Sequence, residues 1–207
     1  MVRIIFVRHA QADSNAKSKV CFNGTLDEPL TSVGKRQAEK AAIALKDVKI
    51  DAIFSSSLKR ALETANIINK YHNVGIIIDR RLREANFGIW EGLTIEEVKA
   101  KYPQMYEERL KDKYHYRIKG GESYEDVEKR VMDFLKDVKD KYARKTILVV
   151  THATTLKLIF KHLLKKPLKE VEKPYYKNTS ISVLDVDNNV TVRKFNDSSH
   201  IEEEQIL

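Results

Sequence analysis

Cysteine, proline and glycine are scarce in this chain of 207 residues, with one, four and seven copies. A single cysteine, Cys21, cannot form an internal disulfide. Because glycine and proline are sparse, no stretch is typical of a flexible linker or a low-complexity segment. No repeat of fixed period is present either. We therefore expect one domain that spans residues 1–207.

Long apolar runs are also lacking. No stretch is long enough to cross a membrane. The apolar run at the N-terminus is too short for a signal peptide, and Arg8 interrupts it. These features predict a cytoplasmic protein with no membrane partner. Hydrophobic residues make up 42% of the chain and charged residues 33%, which is typical of a globular protein with a packed core.

The charge is unbalanced toward the basic side. There are 38 lysines and arginines against 30 acidic residues, for a net charge of +8. Such an excess favours an anionic partner, which is nucleic acid, a lipid headgroup or a small phosphate, and a solvated lysine-rich surface is an equal alternative. Since the chain contains no nucleic-acid-binding motif, we expect no nucleic acid partner.

Short β-branched runs alternate with segments of helical periodicity. The pattern predicts six strands, at 2–7, 50–54, 74–78, 146–150, 180–186 and 190–195. It predicts helices that begin near Thr31, after a Ser56–Ser57 cap, at Thr94 and after Ser123. The alternation indicates an α/β fold, a three-layer α/β/α sandwich with a mostly parallel central sheet and an antiparallel edge strand from the final hairpin.

Three of the predicted strands end in residues that can carry chemistry. Arg8 and His9 follow the first strand, Arg60 lies in "SSSLKRALETA" after the second, and His152 lies in "VTHATT" after the fourth. Since the carboxyl ends of parallel strands share one edge of a sheet, we expect these side chains to meet. Two arginines and two histidines at one point form an anion pocket, and the arginine fork suits phosphate.

Several other phosphatase chemistries do not fit the sequence. The residue six positions after Cys21 is Asp27, where a cysteine phosphatase loop requires arginine. The segment "DVDNN" at 185–189 has two aspartates at the spacing of an aspartyl-phosphate enzyme, but it lies in the late hairpin and is interpreted as a turn. No GxxxxGK[ST] is present, which excludes a P-loop. No His/Asp/Cys cluster has metal-ligand spacing, so we expect no metal and no cofactor.

The motifs in their order resemble those of the histidine phosphatase superfamily, the phosphoglycerate mutase-like proteins. Each motif alone is weakly specific, but their order along nearly the whole chain is strongly so. The matching segments are "RHAQ" at 8–11 with Asn15, "GTLDEPLTSVGKRQA" at 24–38, "SSSLKRALETA" at 55–65, "RLREANFGIWEG" at 81–92, "GGESYEDVEKRV" at 120–131 and "VTHATTLK" at 150–157.

This resemblance implies a role for each matching residue. His9 is implied as the nucleophile that forms a phosphohistidine. Charge on the transferred phosphoryl group is implied to be neutralised by Arg8, Arg60 and His152. Glu84 is implied as the proton donor and later the base. Further hydrogen bonds are expected from Asn15 and the backbone at Gly24.

The sequence departs from the family pattern at two places and leaves one assignment open. Ala10 and Ala153 stand where the family usually has glycine, so either the backbone there is ordinary or the floor of the pocket is altered. Alternatives to Glu84 lie in neighbouring family-like segments, namely Glu63, Glu91, Glu96 and Glu122. Of these, Glu91 is also a candidate for holding loop structure.

Three functions remain open from sequence. The favoured one is a metal-independent phosphomonoester hydrolase acting on a small phosphorylated substrate. A phosphoglycerate mutase shares the chemistry up to the phosphohistidine, but the small lid-like insert at about 94–121 is short for a mutase. The third is a non-catalytic protein that binds a phospho-ligand or nucleic acid. The complete set of catalytic residues, with Glu84 as a proton donor, argues against it.

The insert is lysine-rich and is either a basic lid or a solvated loop. The oligomeric state is open, with a homodimer as one option.

Overall fold

The computed structural model describes residues 1–16 and 22–204. These residues form a six-stranded sheet in the order β3-β2-β4-β1-β5-β6. The strands are β1 (Val2–Arg8), β2 (Ala52–Ser55), β3 (Ile76–Ile78), β4 (Thr146–Thr151), β5 (Ile181–Val186) and β6 (Val190–Asp197). β1, β2, β3 and β4 pair in parallel, and β5 runs antiparallel to β1 and to β6. The predicted parallel sheet with an antiparallel edge is therefore confirmed.

Helices connect the strands. They are α1 (Asp13–Ala16), α2 (Ser32–Leu45), α3 (Lys59–Asn69), α4 (Ile95–Lys101), α5 (Pro103–Lys111), α6 (Tyr124–Lys141), α7 (Ala153–Leu163) and α8 (Leu168–Glu172). Short 3₁₀ turns occupy Arg80–Leu82, Gly88–Trp90 and Ser199–Glu204. In the described part of the chain, no helix is both long and apolar enough to span a membrane.

Successive residues of a strand point to opposite faces of the sheet, and here both faces are apolar. Helices therefore cover the sheet on both sides. Phe6 of β1 packs with Phe134 of α6 and Phe160 of α7 on one face. The next residue, Val7, packs on the other face with Ala61 of α3 among others. These two hydrophobic clusters make the predicted three-layer sandwich. They also hold the carboxyl ends of the strands in a fixed position.

Three of the four predicted helix starts agree with the structure, and the exception is α3. Thr31 accepts a hydrogen bond from Gly34 N at 2.9 Å, and Ser123 caps α6. The expected cap by Ser56 and Ser57 is wrong, since α3 begins two residues after Ser57 and its cap residue, Leu58, provides no side-chain hydrogen bond. The physical reason is that the backbone of Ser56 still continues the sheet, donating to Val150 O at 3.0 Å.

The insert at 94–121 is largely helical. Thr94 caps α4 as expected, and α5 begins directly at Pro103. Its apolar residues pack in a separate cluster around Trp90, which includes Val98 and Ile118. The insert is thereby fixed to the segment that carries Glu84. That it acts as a lid stays a prediction.

Candidate active site

The parallel register brings the ends of three strands side by side. Arg8 at the end of β1 pairs with Thr151 at the end of β4, so His9 and His152 follow at the same level. Their rings are 4.9 Å apart between centroids. The backbone amide of His9 donates to Thr151 O at 2.9 Å, which extends the ladder by one residue. The predicted meeting of the two histidines is what the structure shows.

The ring of His9 has a defined tautomer. Its Nδ1 lies 2.7 Å from the carbonyl oxygen of Ala10, which can only accept, so Nδ1 carries the hydrogen. Nε2 is then left with a lone pair, which accepts a hydrogen bond from Arg60 Nε at 3.3 Å. Burial lowers the pKa of His9 well below its ordinary value, and the charges of Arg60 and Arg8 add to the effect. His9 is therefore neutral at neutral pH, with Nε2 able to act as a nucleophile.

Arg60 lies in the first turn of α3 and is 3% exposed. Its Nη1 donates to Leu26 O at 2.6 Å and its Nη2 donates to Gly24 O at 2.8 Å. Every nitrogen of the guanidinium therefore has an acceptor. The carbonyl groups of the loop fix the plane of the guanidinium beside His9, which sequence reasoning did not show.

Gly24 contributes through its backbone. Its φ is +42°, and a Cβ added there would lie 2.2 Å from Glu91 Oε1 and 2.8 Å from Ala85 O. Only glycine fits this position without a shift of its neighbours. The carbonyl of Gly24 faces Arg60. In this arrangement Gly24 orients an arginine.

Arg8, at the end of β1, is 6% exposed. Its Nη1 donates to the backbone oxygen of Tyr176, and its guanidinium carbon lies 6.0 Å from the ring centroid of Tyr175. The Nε group of Arg8 is buried and has no hydrogen-bond partner among the described residues. Since a buried donor without an acceptor is costly, this group is available for an anion.

His152 is fully buried at the start of α7. Its Nε2 lies 2.8 Å from Ser56 Oγ, and its Nδ1 is buried without a partner in residues 1–16 and 22–204. Burial lowers the pKa of His152 well below its ordinary value, and the charge of Arg60 acts in the same direction. His152 is therefore neutral at neutral pH, and Ser56 fixes the plane of its ring.

Glu84 is bound to the N-terminal turn of α7. Its Oε2 accepts from Thr154 N at 3.0 Å, and its Oε1 accepts from Thr155 N at 3.2 Å and Ala85 N at 2.9 Å. The hydroxyl of Thr155 also lies 3.3 Å from Oε1. Because α7 begins directly after His152, these contacts hold the carboxyl group of Glu84 near His152, at the carboxyl ends of the strands.

The other glutamates make structural contacts. Glu91 accepts from Thr25 N at 2.8 Å and from Phe87 N at 3.2 Å, so it joins two loops. Glu122 accepts from Asn86 N at 3.0 Å, and Glu63 accepts from Leu30 N at 3.1 Å. Glu96 is exposed on α4. The expectation that Glu91 could hold loop structure agrees with these bonds.

The two alanines adopt ordinary backbone. Among the described residues, those with positive φ do not include Ala10 or Ala153. Ala10 packs with Leu30 and Ala38, and Ala153 is the first residue of α7. The backbone at both alanines is therefore ordinary, which is the first of the two options that the sequence left open. The side chain of Asn15, and the whole of Cys21, lie outside the described residues.

Sequence reasoning missed four residues that position the site. They are Ser56, Thr64, Thr155 and Asn178. Thr64 Oγ1 accepts from Ala10 N at 3.0 Å, and Asn178 Nδ2 donates to His9 O at 2.9 Å. The first three lie within recognised motifs, so their position was a usable signal. Asn178 lies outside every motif, and only the fold brings it to His9.

The assembled site brings two neutral imidazoles, two guanidiniums and one carboxyl group together. Such a set can bind a dianionic tetrahedral group, offer it a nucleophile and exchange a proton with it. Within residues 1–16 and 22–204, there is no cluster of three or more His, Cys, Asp or Glu side chains that could hold a metal ion.

Comparison with known proteins gives the same family as the motifs. A family model described as "Histidine phosphatase superfamily (branch 1)" matches residues 4–198. Phosphoserine phosphatase 1 of Hydrogenobacter thermophilus is 33% identical over 204 residues, which cover 98% of this chain and 96% of that protein. Phosphoglycerate mutase-like protein 4 of Arabidopsis thaliana is 34% identical over 99% of this chain and 89% of its own length. Among solved structures, Bacillus stearothermophilus YhfR superposes with a TM-score of 0.89 at 31% identity, covering 98% of this chain and 100% of that one.

Proposed function

Because the chain belongs to the histidine phosphatase superfamily, we propose that it is a metal-independent phosphomonoester hydrolase in which His9 is the nucleophile. The resemblance to this family, inferred from the order of the motifs, is confirmed by the match over residues 4–198. A phosphatase is supported by relatives with that name. The roles of the individual residues below are part of the proposal.

One observation carries the proposal, the orientation of the His9 ring. The bond from Nδ1 to Ala10 O leaves the lone pair of Nε2 in the site, 3.3 Å from Arg60 Nε. A neutral imidazole held in one tautomer is a nucleophile that needs no separate base. A phosphoryl group that approaches Nε2 meets a nucleophile with a cation beside it.

The positive side chains stabilise the charge of the phosphoryl group. Arg60 and Arg8 each bring a guanidinium to the site, and Nε of Arg8, for which the described residues provide no acceptor, gives an anion an unused donor. His152 donates a third hydrogen bond. The expectation from the motif that Asn15 adds a further one stays a prediction. Gly24 acts through Arg60, whose guanidinium it orients. These groups take the part that a metal ion has in other phosphoryl transfers.

Glu84 moves the proton. In the first step, Nε2 of His9 bonds to phosphorus, the bond from phosphorus to the ester oxygen breaks, and protonated Glu84 gives its proton to that oxygen. In the second step, Glu84 takes a proton from water, whose oxygen bonds to phosphorus while the bond from phosphorus to Nε2 breaks. Inorganic phosphate leaves, and His9 and Glu84 return to their initial states.

The second candidate is a phosphoglycerate mutase, which a relative named mutase-like favours. Hydrolysis is preferred because the insert that packs beside the site consists of the two short helices α4 and α5. A mutase must keep water from the phosphohistidine, which requires a larger cover. Binding without turnover is the least favoured, since a binding site has no use for a proton donor.

The remaining expectations belong to the same proposal. The substrate is a small phosphorylated molecule, and the reaction takes place in the cytoplasm. A homodimer stays a prediction, which sedimentation velocity measures.

Hydrolysis of p-nitrophenyl phosphate in excess EDTA tests the function, with the wild type beside His9→Ala. We expect turnover that resists EDTA and is lost in the variant. Turnover that EDTA abolishes would overturn the metal-independent mechanism. No turnover in the wild type would leave the mutase or the binding protein, and phosphoryl exchange between phosphoglycerates separates these two.

A further inference from the structure

A small cavity lies beside the candidate active site and shares Arg8 with it. It has a volume of about 220 Å³ and is lined by Arg8, Ala153, Lys157, Glu172, Lys173 and Tyr175, together with two further residues of the 172–176 segment. Arg8 belongs to both, and the charges of Arg8 and Glu84 are close enough to Lys157 of the lining to act on its pKa, so the cavity lies near the proposed phosphoryl site. Its volume is below the range of pockets that take a whole drug-sized ligand, and it suits one small group.

Lys157 is the unusual residue of this cavity. It lies one turn into α7 from Ala153 and is half-buried. In the described part of the chain, its ammonium group forms no hydrogen bond, and no carboxylate oxygen lies within 4.0 Å of it. Burial lowers the pKa of Lys157 from its ordinary value, while the charge of Glu172 acts in the opposite direction. An ammonium group held partly out of water without a close anion is costly unless a ligand provides one.

The acidic residue of the cavity is already engaged. Glu172 Oε1 lies 2.5 Å from Nζ of Lys113, which comes from the insert. The lining therefore holds three cations, Arg8, Lys157 and Lys173, against one carboxylate that is already paired with a lysine from outside the lining. The cavity therefore has an excess of positive charge. It also has a buried donor, Nε of Arg8, to which no described residue offers an acceptor.

We propose that this cavity binds a second anionic group of the substrate, with Lys157 as its main contact. The proposal rests on the proposed function and narrows its substrate class. The substrate is then a phosphomonoester that carries a carboxylate or a second phosphate a few bonds from the reacting phosphorus. Lys157 is a specificity residue that contacts the substrate at a distance from the bond that breaks.

The direct test compares esters that differ in one charge. Glycerol 3-phosphate and 3-phosphoglycerate differ only in that a carboxylate replaces a CH2OH group. Fructose 6-phosphate and fructose 1,6-bisphosphate provide the phosphate arm. We expect the wild type to prefer the doubly anionic member of one pair, and that pair identifies the group.

Three variants assign the preference to Lys157. Lys157→Met should reduce the ratio of kcat/KM for the preferred ester over its neutral partner by about 10-fold to 100-fold, mainly through KM, as expected for loss of a charge-assisted hydrogen bond. Lys157→Arg should restore most of the ratio. Lys169→Met is the matched control, because this lysine is exposed on neighbouring α8 and does not line the cavity. It should leave the ratio unchanged.

A binding measurement separates failure of this proposal from failure of the proposed function. Calorimetry with the phosphonate analogues of the two glycerol esters reports affinity without hydrolysis. If no ester is hydrolysed but the carboxylate analogue binds more tightly and loses this advantage in Lys157→Met, the hydrolase proposal fails and the anion site stands. If esters are hydrolysed with no preference for a second charge, or if Lys157→Met changes both members of each pair by one factor, the anion site is wrong.

Discussion

Arg60 and His9 are joined through their side chains, with Arg60 Nε donating to His9 Nε2 at 3.3 Å. The other two nitrogens of Arg60 are bound to the carbonyls of Gly24 and Leu26. The guanidinium thus has one orientation, in which its Nε edge faces the lone pair of the nucleophile. A phosphoryl group bound to His9 would lie beside a cation whose position was fixed in advance, and such preorganisation lowers the barrier to transfer.

The fixed fork of Arg60 gives the first prediction. Arg60→Lys keeps a positive charge but loses the two bonds to the loop and the planar donor edge. We expect kcat/KM for p-nitrophenyl phosphate to fall by about 100-fold to 1000-fold, as for the loss of a transition-state donor. Arg80→Lys, at an exposed position, is the control and should be neutral. A loss of less than threefold in Arg60→Lys would show that its geometry has no part in the reaction.

The bond between Ser56 and His152 gives the second. Ser56→Ala removes the partner that fixes the His152 ring at 2.8 Å. We expect kcat to fall by about 10-fold to 100-fold with little change in KM, because a misoriented ring costs more in the transition state than in binding. Ser56→Thr keeps the hydroxyl and should recover part of kcat. An equal loss in both variants would indicate packing damage and not positioning.

The loop at Gly24 gives a prediction of stability. Gly24→Ala introduces a Cβ at a φ of +42° and 2.8 Å from the backbone oxygen of Ala85. We expect the free energy of unfolding to fall by about 2–4 kcal/mol, from backbone strain and the displaced neighbours. Gly75→Ala is the matched control, since a Cβ there meets nothing within 4 Å. Urea denaturation of both variants measures the difference, and equal stabilities would refute the packing described for Gly24.

The buried histidines predict how stability depends on pH. The pKa values of His9 and His152 are lowered well below the ordinary value in the folded protein. Below about pH 6.5 the unfolded chain therefore binds protons that the folded protein does not, and stability falls as pH falls. The expected slope is about 1.4 kcal/mol per histidine per pH unit in that range.

Urea denaturation between pH 7.5 and 5 measures this slope. The comparison that matters is between the wild type and His152→Gln, since other buried groups contribute to both. The free energy of unfolding of the variant should depend less steeply on pH, by the contribution of one histidine. Identical slopes would mean that His152 is protonated in the folded state.

Much of this arrangement could be predicted from the sequence, and the reasons are local. Arg8 and His9 directly follow a β-branched run, and His152 follows another, so the shared edge of a parallel sheet brings them together. That Ser56 belongs to the sheet could not be predicted, because a serine before a helical pattern is typical of a helix cap. Only the pairing of β2 with β4 shows that its backbone still belongs to the sheet.

Contacts between distant segments also could not be predicted from the sequence. Asn178 binds the carbonyl of His9 across 169 positions of the chain, and no pattern around it indicates this. The cavity at Lys157 is formed where α7 meets the segment at 172–176. Such contacts depend on how helices and loops pack, which spacing within one element does not specify.

Trapping the covalent intermediate tests the central claim most directly. The wild type would be mixed with p-nitrophenyl phosphate, quenched in alkali within its first turnovers, digested and analysed by mass spectrometry. The account predicts one added phosphoryl group on the peptide that contains His9, attached to its imidazole, and none in His9→Ala. A phosphoryl group on another residue, or hydrolysis that persists in His9→Ala, would contradict it.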